Sequence, residues 1–381
     1  MSQLATRGVM IAGGGTAGHV LPALAIAEAL LNRGLVVDRS SVHLVGSRRG
    51  IEVDLVPPTG FNFTVLPGRG IQRRLTPVNL MSAFGLLVAF FRALGLVARH
   101  RPALVVSVGG YASVPCSLAA TVLRVPLVVV EQNAVPGAAN RLVGRFARAC
   151  AVSFPETDLP RSTVTGNPVR NLIRRTAEAH DRADMRAEAR AALGIDGRLF
   201  VVAFGGSLGA RRINQAVVHA VEEWTGEPVV VAHVVGRRGW SETRAPERAT
   251  NPASGVSYRP VEYETEMATV LSAVDLAICR AGATSVAELT ALGVPAILVP
   301  LPGAPDDHQT ANARQLEEAG GARLVVDEDL DGERLGVEMA LLLEDPEVLL
   351  KMSESARSLG RPDAADRVVD LLVEVLNGLS R

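Results

Sequence analysis

The sequence has few cysteines, few aromatic residues and a single lysine, Lys351. The cysteines Cys116, Cys150 and Cys279 are odd in number and lie far apart, each in an apolar stretch. They have the spacing of neither a disulfide framework nor a metal site, so we expect a reducing compartment. Aromatic residues make up only 4% of the chain against 48% hydrophobic residues, which predicts cores built from Val, Leu, Ala and Ile.

Strong charge of either sign and long apolar runs are also missing. The formal net charge of -1 gives no general attraction to nucleic acid, so no nucleic-acid partner is predicted. The N-terminus shows no charged-then-apolar leader, so no signal peptide is predicted. No Asp-x-Asp pair follows a predicted strand, so we expect no required metal, and no cofactor is predicted. A length of 381 residues predicts two domains.

A glycine loop opens the chain. Residues 8–12 predict a buried strand, residues 13–19 read GGGTAGH, and a helix is expected from about 21 to 33. The glycines match the dinucleotide-binding fingerprint. Residues 47–49 (SRR) end the next strand, where a 2′-phosphate could be held. An NADP-dependent oxidoreductase is therefore one possible interpretation.

The same pattern of a strand, a glycine-rich or polar loop and a helix recurs later in the chain. Glycine-rich or polar loops at 109–113 and 131–133 follow predicted strands at 103–108 and 127–130. Residues 199–203 then predict a strand that leads through FGGSLGA to a helix from about Arg211. This internal repeat predicts an α/β protein with two Rossmann-like, doubly wound domains. In such domains ligands bind at the carboxyl ends of the strands.

The segment from Ala277 to Gly321 combines several ligand-binding features. Gly282 turns a buried strand into a helix predicted over 283–292, whose first turn offers N–H groups and a positive dipole end to a phosphate. Glu288 lies one turn below Thr284 on the same face and could accept hydrogen bonds from a ribose diol. The loop at 302–307 then delivers His308, Gln309 and Asn312. These features favour a nucleotide-sugar site, although Glu288 could also be an ordinary solvated helix residue.

The order of these motifs resembles the MurG-type glycosyltransferases of peptidoglycan synthesis. The matching residues are Arg280-x-Gly282-Ala283, then Glu288, then Asp-x-His-Gln-x-x-Asn, together with the loop at 13–19. The resemblance implies the GT-B fold, with two Rossmann-like domains facing a cleft and a C-terminal helix that returns to the N-terminal domain. It implies an acceptor and membrane-associated domain over 1–166 plus about 361–381, and a UDP-sugar domain over 167–360.

The resemblance also implies an activity and a set of site residues. N-acetylglucosamine would pass from UDP-N-acetylglucosamine to the muramoyl 4-hydroxyl of lipid I, giving lipid II with inversion at the anomeric carbon. His19 is the candidate catalytic base, because an imidazole can be neutral at cytoplasmic pH. The candidate substrate-binding residues are Thr16, Ala17, Gly18, Asn133, Arg170, Ser207, Glu264, Ala283, Thr284, Glu288, His308, Gln309 and Asn312. By the resemblance, the backbone near Glu264 would meet the uracil. No side-chain role is expected for Glu264, because the family usually has an apolar residue there.

The apolar segment from Leu80 to Ala98 is too short and too interrupted by glycine to span a bilayer. Arginines flank it at 69, 73, 74, 99 and 101, which suits an apolar face dipping into an anionic membrane surface. Burial against a sheet is the alternative. With the resemblance, we expect a peripheral protein on the cytoplasmic side of the cell membrane, at the inner leaflet. A module that binds the sugar nucleotide without turnover, or recruits another subunit to the membrane, is a further alternative.

Overall fold

The computed structural model describes residues 3–48, 50–67, 77–206, 209–243 and 255–379. Five residues named above lie outside these ranges: Ser207, Arg49, Arg69, Arg73 and Arg74. The chain folds into two compact units, the first made of Met1–Arg170 with Asp363–Arg381 and the second of Asn171–Pro362. The boundaries expected from the sequence were at 166 and 360.

The first unit is a parallel α/β sandwich. Its strands are β1 Val9–Gly13, β2 Val42–Ser47, β3 Asn62–Leu66, β4 Leu104–Gly109, β5 Leu127–Glu131, β6 Ala149–Val152 and β7 Ser162–Val164. Its helices are α1 Gln3–Arg7, α2 Ala17–Asn32, α3 Glu52–Leu55, α4 Pro77–His100, α5 Ser113–Val122 and α6 Ala138–Gly144. All seven strands form one sheet in the order β3-β2-β1-β4-β5-β6-β7, and every pair is parallel.

Helices cover both faces of this sheet, which is why its central strands are apolar throughout. Every residue of β4 and β5 is buried. Helix α2 packs on one face, whereas α4, α5 and α6 pack on the other. Helix α4 buries the small residues Ala89, Ala93 and Val97, spaced by four, and this stripe lets it lie close to α5. Within the described residues, no helix has the length and apolar character needed to cross a bilayer.

The second unit repeats the architecture. Its helices are α7 Asn171–Glu178, α8 Arg182–Ala192, α9 Arg211–Glu222, α10 Met267–Ala273, α11 Ala283–Leu292, α12 His308–Glu318, α13 Gly332–Leu343 and α14 Pro346–Leu359. Its strands are β8 Leu199–Phe204, β9 Val229–Val234, β10 Val256–Val261, β11 Leu276–Cys279, β12 Ala296–Leu298 and β13 Ala322–Leu324. They are all parallel in the order β10-β9-β8-β11-β12-β13. When the strands are numbered from the start of each unit, both sheets have the order 3-2-1-4-5-6, and the first sheet adds a seventh strand. The internal repeat predicted from the sequence is therefore confirmed.

The last helix, α15 (Ala364–Leu379), belongs to the first unit. Its apolar residues Val368, Val369 and Leu372 are fully buried in the core that also holds α2. An ion pair of 2.7 Å between Arg33 and Asp370 closes the edge of this contact. The chain therefore leaves the first unit after Arg170 and comes back to it at its end, as the resemblance implies.

Candidate functional site

Two glycine loops meet at the carboxyl ends of β1 and β4. The Gly14 N–H donates to the Gly109 carbonyl at 3.3 Å. Gly110 has φ +80°, and a Cβ on it would lie 2.1 Å from the Gly14 oxygen. Only glycine fits such an approach. Because β1 and β4 are neighbours in the sheet, two loops that are distant in sequence form one surface.

His19 stands on this surface. It is the third residue of α2, half-buried, with its Nδ1 3.3 Å from the Oγ1 of the exposed Thr16, the N-cap residue. A Cβ at Gly109 would lie 3.0 Å from Nε2 and Cδ2 of the imidazole, so the missing side chain leaves room for the ring. Ala17 and Gly18 occupy the turn between Thr16 and His19. The predicted catalytic base and its loop thus lie against the second glycine loop.

A buried glutamate below the first loop was not predicted. Glu52 is 1% exposed, and its Oε1 accepts hydrogen bonds from the N–H and Oγ of Ser47 at 2.6 and 2.8 Å. Its Oε2 accepts the Gly15 N–H at 2.9 Å. This carboxylate therefore ties the loop that carries His19 to the end of β2. Glu52 comes two residues after Gly50, in the segment that follows β2. This position near a glycine was the only indication of its role in the sequence.

The Glu52 contact also decides against the oxidoreductase interpretation. In a dinucleotide-binding protein the N–H groups of this loop face the pyrophosphate. Here the Gly14 N–H bonds to the Gly109 carbonyl, and the Gly15 N–H bonds to a carboxylate. A pyrophosphate at this position would meet an occupied donor and a negative charge. The glycine pattern matches the fingerprint, but its chemistry differs.

A second buried carboxylate organises the loop after β5. Glu131 is 1% exposed, and its Oε1 accepts from both the N–H and the Nδ2 of Asn133, at 3.0 and 3.1 Å. Its Oε2 accepts from the Gly137 N–H at 3.0 Å and from Asn140 Nδ2 at 2.9 Å. Asn140 in turn accepts from Ser107 Oγ at 3.3 Å. The predicted ligand Asn133 is thus held in a network around Glu131 and Asn140. Glu131 belonged to the polar loop predicted at 131–133 without a role of its own, and Asn140 was not predicted.

In the second unit, α11 begins where the sequence placed it. Gly282 is its N-cap residue, and Ala283 and Thr284 form its first turn, both less than a tenth exposed. The first-turn N–H groups of an α-helix have no intrahelical acceptor and lie at the positive end of its dipole, a position at which proteins often bind anions. Glu288 is only 4% exposed, one turn deeper. It is not the solvated helix residue of the alternative interpretation.

Arg280 acts within the fold. Its Nη1 donates to the carbonyls of Val299 and Pro300 at 3.1 and 3.0 Å and lies 2.6 Å from Asp327 Oδ1. Asp327 also pairs with Arg212 at 3.3 Å. Only 11% of the Arg280 side chain is exposed. Through these bonds Arg280 holds the end of β12, where the next loop begins.

That loop is strained. Asp306 and Asp307 both have left-handed backbone angles, with φ of 53° and 52°, and such strain concentrates at functional sites. His308 then begins α12, with its Nδ1 2.7 Å from the Pro305 carbonyl. Gln309 Oε1 accepts the Leu301 N–H at 3.0 Å. The loop therefore presents half-buried His308 and Gln309 at the start of a helix.

The remaining predicted residues have different settings. Asn312 is fully buried, and its Nδ2 donates to the Ala281 carbonyl at 3.1 Å, next to the N-cap of α11. This bond joins the side chain of Asn312 in α12 to the backbone that leads into α11. Glu264 precedes α10 and accepts the Glu266 N–H at 2.7 Å. Arg170 is half-buried at the end of the first unit. Within the described ranges, no three His, Cys, Asp or Glu side chains converge as metal ligands.

Comparison with known proteins finds similarity along almost the whole chain. Residues 9–152 match the glycosyltransferase family 28 N-terminal domain, and residues 200–368 match the family 28 C-terminal domain. A UDP-N-acetylglucosamine–N-acetylmuramyl-(pentapeptide) pyrophosphoryl-undecaprenol N-acetylglucosamine transferase of Alkalilimnicola ehrlichii is 43% identical over 97% of this chain and 99% of its own. The protein with the same description from Desulforudis audaxviator is 40% identical over 96% and 97%.

Solved structures show the same similarity. The crystal structure of Acinetobacter baumannii MurG is 30% identical and superposes with a TM-score of 0.73, covering 97% of this chain and 99% of that one. A UDP-GlcNAc 2-epimerase of Neisseria meningitidis, bound to UDP-GlcNAc, has a TM-score of 0.67 at 13% identity, with 96% and 99% covered. The likeness to the epimerase concerns the fold alone.

Proposed function

The chain belongs to glycosyltransferase family 28, and from this membership we propose that it transfers N-acetylglucosamine from UDP-N-acetylglucosamine to the muramoyl 4-hydroxyl of lipid I, forming lipid II in peptidoglycan synthesis. The observation that carries this assignment is identity of 40% and 43% along nearly the full length of two proteins with that transferase description. Both family 28 domains are present, so the chain has the two halves that an acceptor and a donor require.

The second unit binds the donor. The N-terminus of α11 meets the diphosphate through the N–H groups of Ala283 and Thr284, because an anion is stabilised where the helix dipole is positive. Glu288 lies below them and accepts the ribose hydroxyls, a contact that needs little exposed surface. Gln309 and His308 address the sugar from the start of α12. Asn312 keeps α11 and α12 in register through its bond to Ala281.

His19 accepts the acceptor proton. As the 4-hydroxyl oxygen attacks the anomeric carbon, the bond from that carbon to the UDP oxygen breaks and the proton moves to the imidazole. Negative charge develops on the leaving diphosphate, where the positive ends of helices α11 and α9 and the Arg170 guanidinium stabilise it. Asn133, fixed by Glu131, contributes to the sugar site.

Apolar and basic residues of the first unit fit a membrane surface, which the acceptor lipid requires. Helix α4 exposes Leu87 and Phe91, by 52% and 61%. Its neighbour α5 ends in exposed Val122, and exposed Phe146 follows α6, which packs against α5. We group these four residues with the exposed Leu123 and Leu142 under the name apolar membrane face. It supports peripheral binding to the inner leaflet of the cell membrane.

Positive charge accompanies the apolar membrane face. A groove of about 810 Å³ adjoins Phe146, and its charged lining residues are all arginines. They are Arg7, Arg124, Arg145, Arg148 and Arg161. Phe90, by contrast, is partly buried against the core of the unit. Anionic headgroups would therefore meet arginines beside exposed apolar side chains, the combination that favours binding at a membrane surface.

Turnover of labelled UDP-N-acetylglucosamine, with and without a lipid I analogue, tests the function. We expect UDP release and a labelled disaccharide lipid only when the acceptor is present. UDP-N-acetylglucosamine binding without turnover would instead support the non-catalytic module. Tight NADPH binding without UDP affinity would support the oxidoreductase.

A further inference from the structure

The second unit contains a cavity that lies away from the loops that bind UDP-sugar in the proposed function. It has a volume of about 370 Å³ and is lined by the segments that enter β8, β11 and β12, together with residues of α8, α10 and α14. It therefore opens at the amino-terminal edge of the sheet, whereas the donor loops follow the carboxyl ends. We call it the basal pocket and define it by Arg182, Arg357, Asp275, Leu271, Val294 and Leu349.

The one carboxylate among the described lining residues of the basal pocket is already neutralised. Asp275 Oδ1 accepts a hydrogen bond from Arg186, and its Oδ2 lies 3.2 Å from Arg190 Nη1. Its Oδ2 also accepts the Phe200 N–H at 2.7 Å. Two arginines thus share a single carboxylate, and no negative charge remains for the other arginines of the basal pocket.

Arg182 and Arg357 supply that surplus positive charge. Arg182 donates to the Ala177 carbonyl, and Arg357 donates to the Leu292 carbonyl at 3.5 Å and to Ser353 Oγ at 3.4 Å. Neither pairs with a carboxylate in the part of the chain that the structure describes. Burial and the guanidinium of Arg357 lower the pKa of Arg182, so the two cations act on each other. An anion between them would remove this repulsion.

We propose that the basal pocket binds a small phosphate monoester with an apolar portion. A phosphate monoester carries nearly two negative charges at neutral pH, matching two guanidinium groups that reach it from different helices without a carboxylate partner among the described residues. The apolar portion would lie against Leu271, Val294 and Leu349. The volume is within the range of small-molecule sites. The pocket is separate from the donor residues, so this proposal does not depend on the proposed function.

The test measures the melting temperature as a function of the concentration of inorganic phosphate or of hexyl phosphate, at constant ionic strength. Saturating UDP is present throughout, so that the proposed donor site is filled. We expect a saturable rise in the wild type, with hexyl phosphate half-saturating at a concentration about tenfold lower because its chain is buried. Arg357→Gln and Arg182→Gln should each lose most of this rise. Arg323→Gln, an equal charge change at an exposed position of β13, should keep it.

Three results would overturn the proposal. They are no saturable rise in the wild type, an equal rise in Arg357→Gln and Arg323→Gln, and hexanoate binding as tightly as hexyl phosphate. The shift caused by UDP alone, measured for each variant, confirms that the variant is folded. Arg357 is exposed and donates to a carbonyl and a hydroxyl, so its replacement leaves the core intact.

Discussion

Replacing Glu52 by glutamine separates the stability of the first unit from the placement of the loop that carries the proposed base, His19. The amide oxygen can keep the two hydrogen bonds from Ser47, but the amide nitrogen then faces the Gly15 N–H. The buried amide nitrogen is left without an acceptor, at about 1–3 kcal/mol, and the N–H of the exposed Gly15 loses its hydrogen bond to a charged group. We expect the free energy of unfolding to fall by about 2–4 kcal/mol. For a unit of this size, that lowers the melting temperature by about 5–15 °C.

The more informative effect is on turnover. Gly15 is four residues before His19, so moving the loop moves the proposed base, and a displacement of about 1 Å can cost about 100-fold in rate. We expect kcat to fall by about that factor at a temperature where the variant is folded. The Kd of UDP should not change, because the donor residues lie in the second unit. Steady-state kinetics and UDP calorimetry on the same preparation provide both values.

Glu28→Gln is the matched control. Glu28 is half-buried on α2 of the same unit, and burial raises the pKa of its carboxyl, so removing its charge should leave stability unchanged or slightly higher. Its turnover should stay within a few-fold of wild type. If Glu52→Gln lowers the melting temperature but keeps wild-type kcat, Glu52 only stabilises the unit and the positioning argument is refuted.

Three further predictions concern the proposed sites. Glu288→Ala should weaken both UDP and the sugar nucleotide by roughly 2–4 kcal/mol in calorimetry, since the lost contacts are to ribose; unchanged UDP affinity would exclude the assignment. His19→Ala should keep affinity for UDP-N-acetylglucosamine but lose about 100- to 10,000-fold in kcat; turnover within a few-fold of wild type would mean that another group takes the proton. Leu87→Ser and Phe91→Ser should each reduce binding to anionic vesicles in a flotation assay, whereas Leu350→Ser, an equally exposed leucine of the second unit, should not; equal losses in all three variants would contradict the apolar membrane face.

The local elements could be predicted because their causes lie within a few residues. Helix α11 has the predicted bounds, 283–292, since Gly282 and Gly293 both interrupt helical geometry. The longer strands were predicted from continuous apolar runs. Strands β6, β7 and β13 were missed, whereas the equally short β11 and β12 were predicted from the apolar residues before Gly282 and those at 294–299.

The sequence by itself determined the two glycine-loop units and the family, because both are encoded in short motifs at fixed spacing. Only the tertiary structure decided which N–H groups of the first glycine loop are hydrogen-bonded within the protein. The carboxylate that accepts the Gly15 N–H belongs to Glu52, 37 residues away in the sequence. The same holds for Asn312, a predicted substrate-binding residue: only the fold shows that it is buried and donates to the Ala281 carbonyl before α11. A motif specifies which residue types are present. Their hydrogen-bond partners depend on the order of the strands, which brings distant loops to one edge of a parallel sheet.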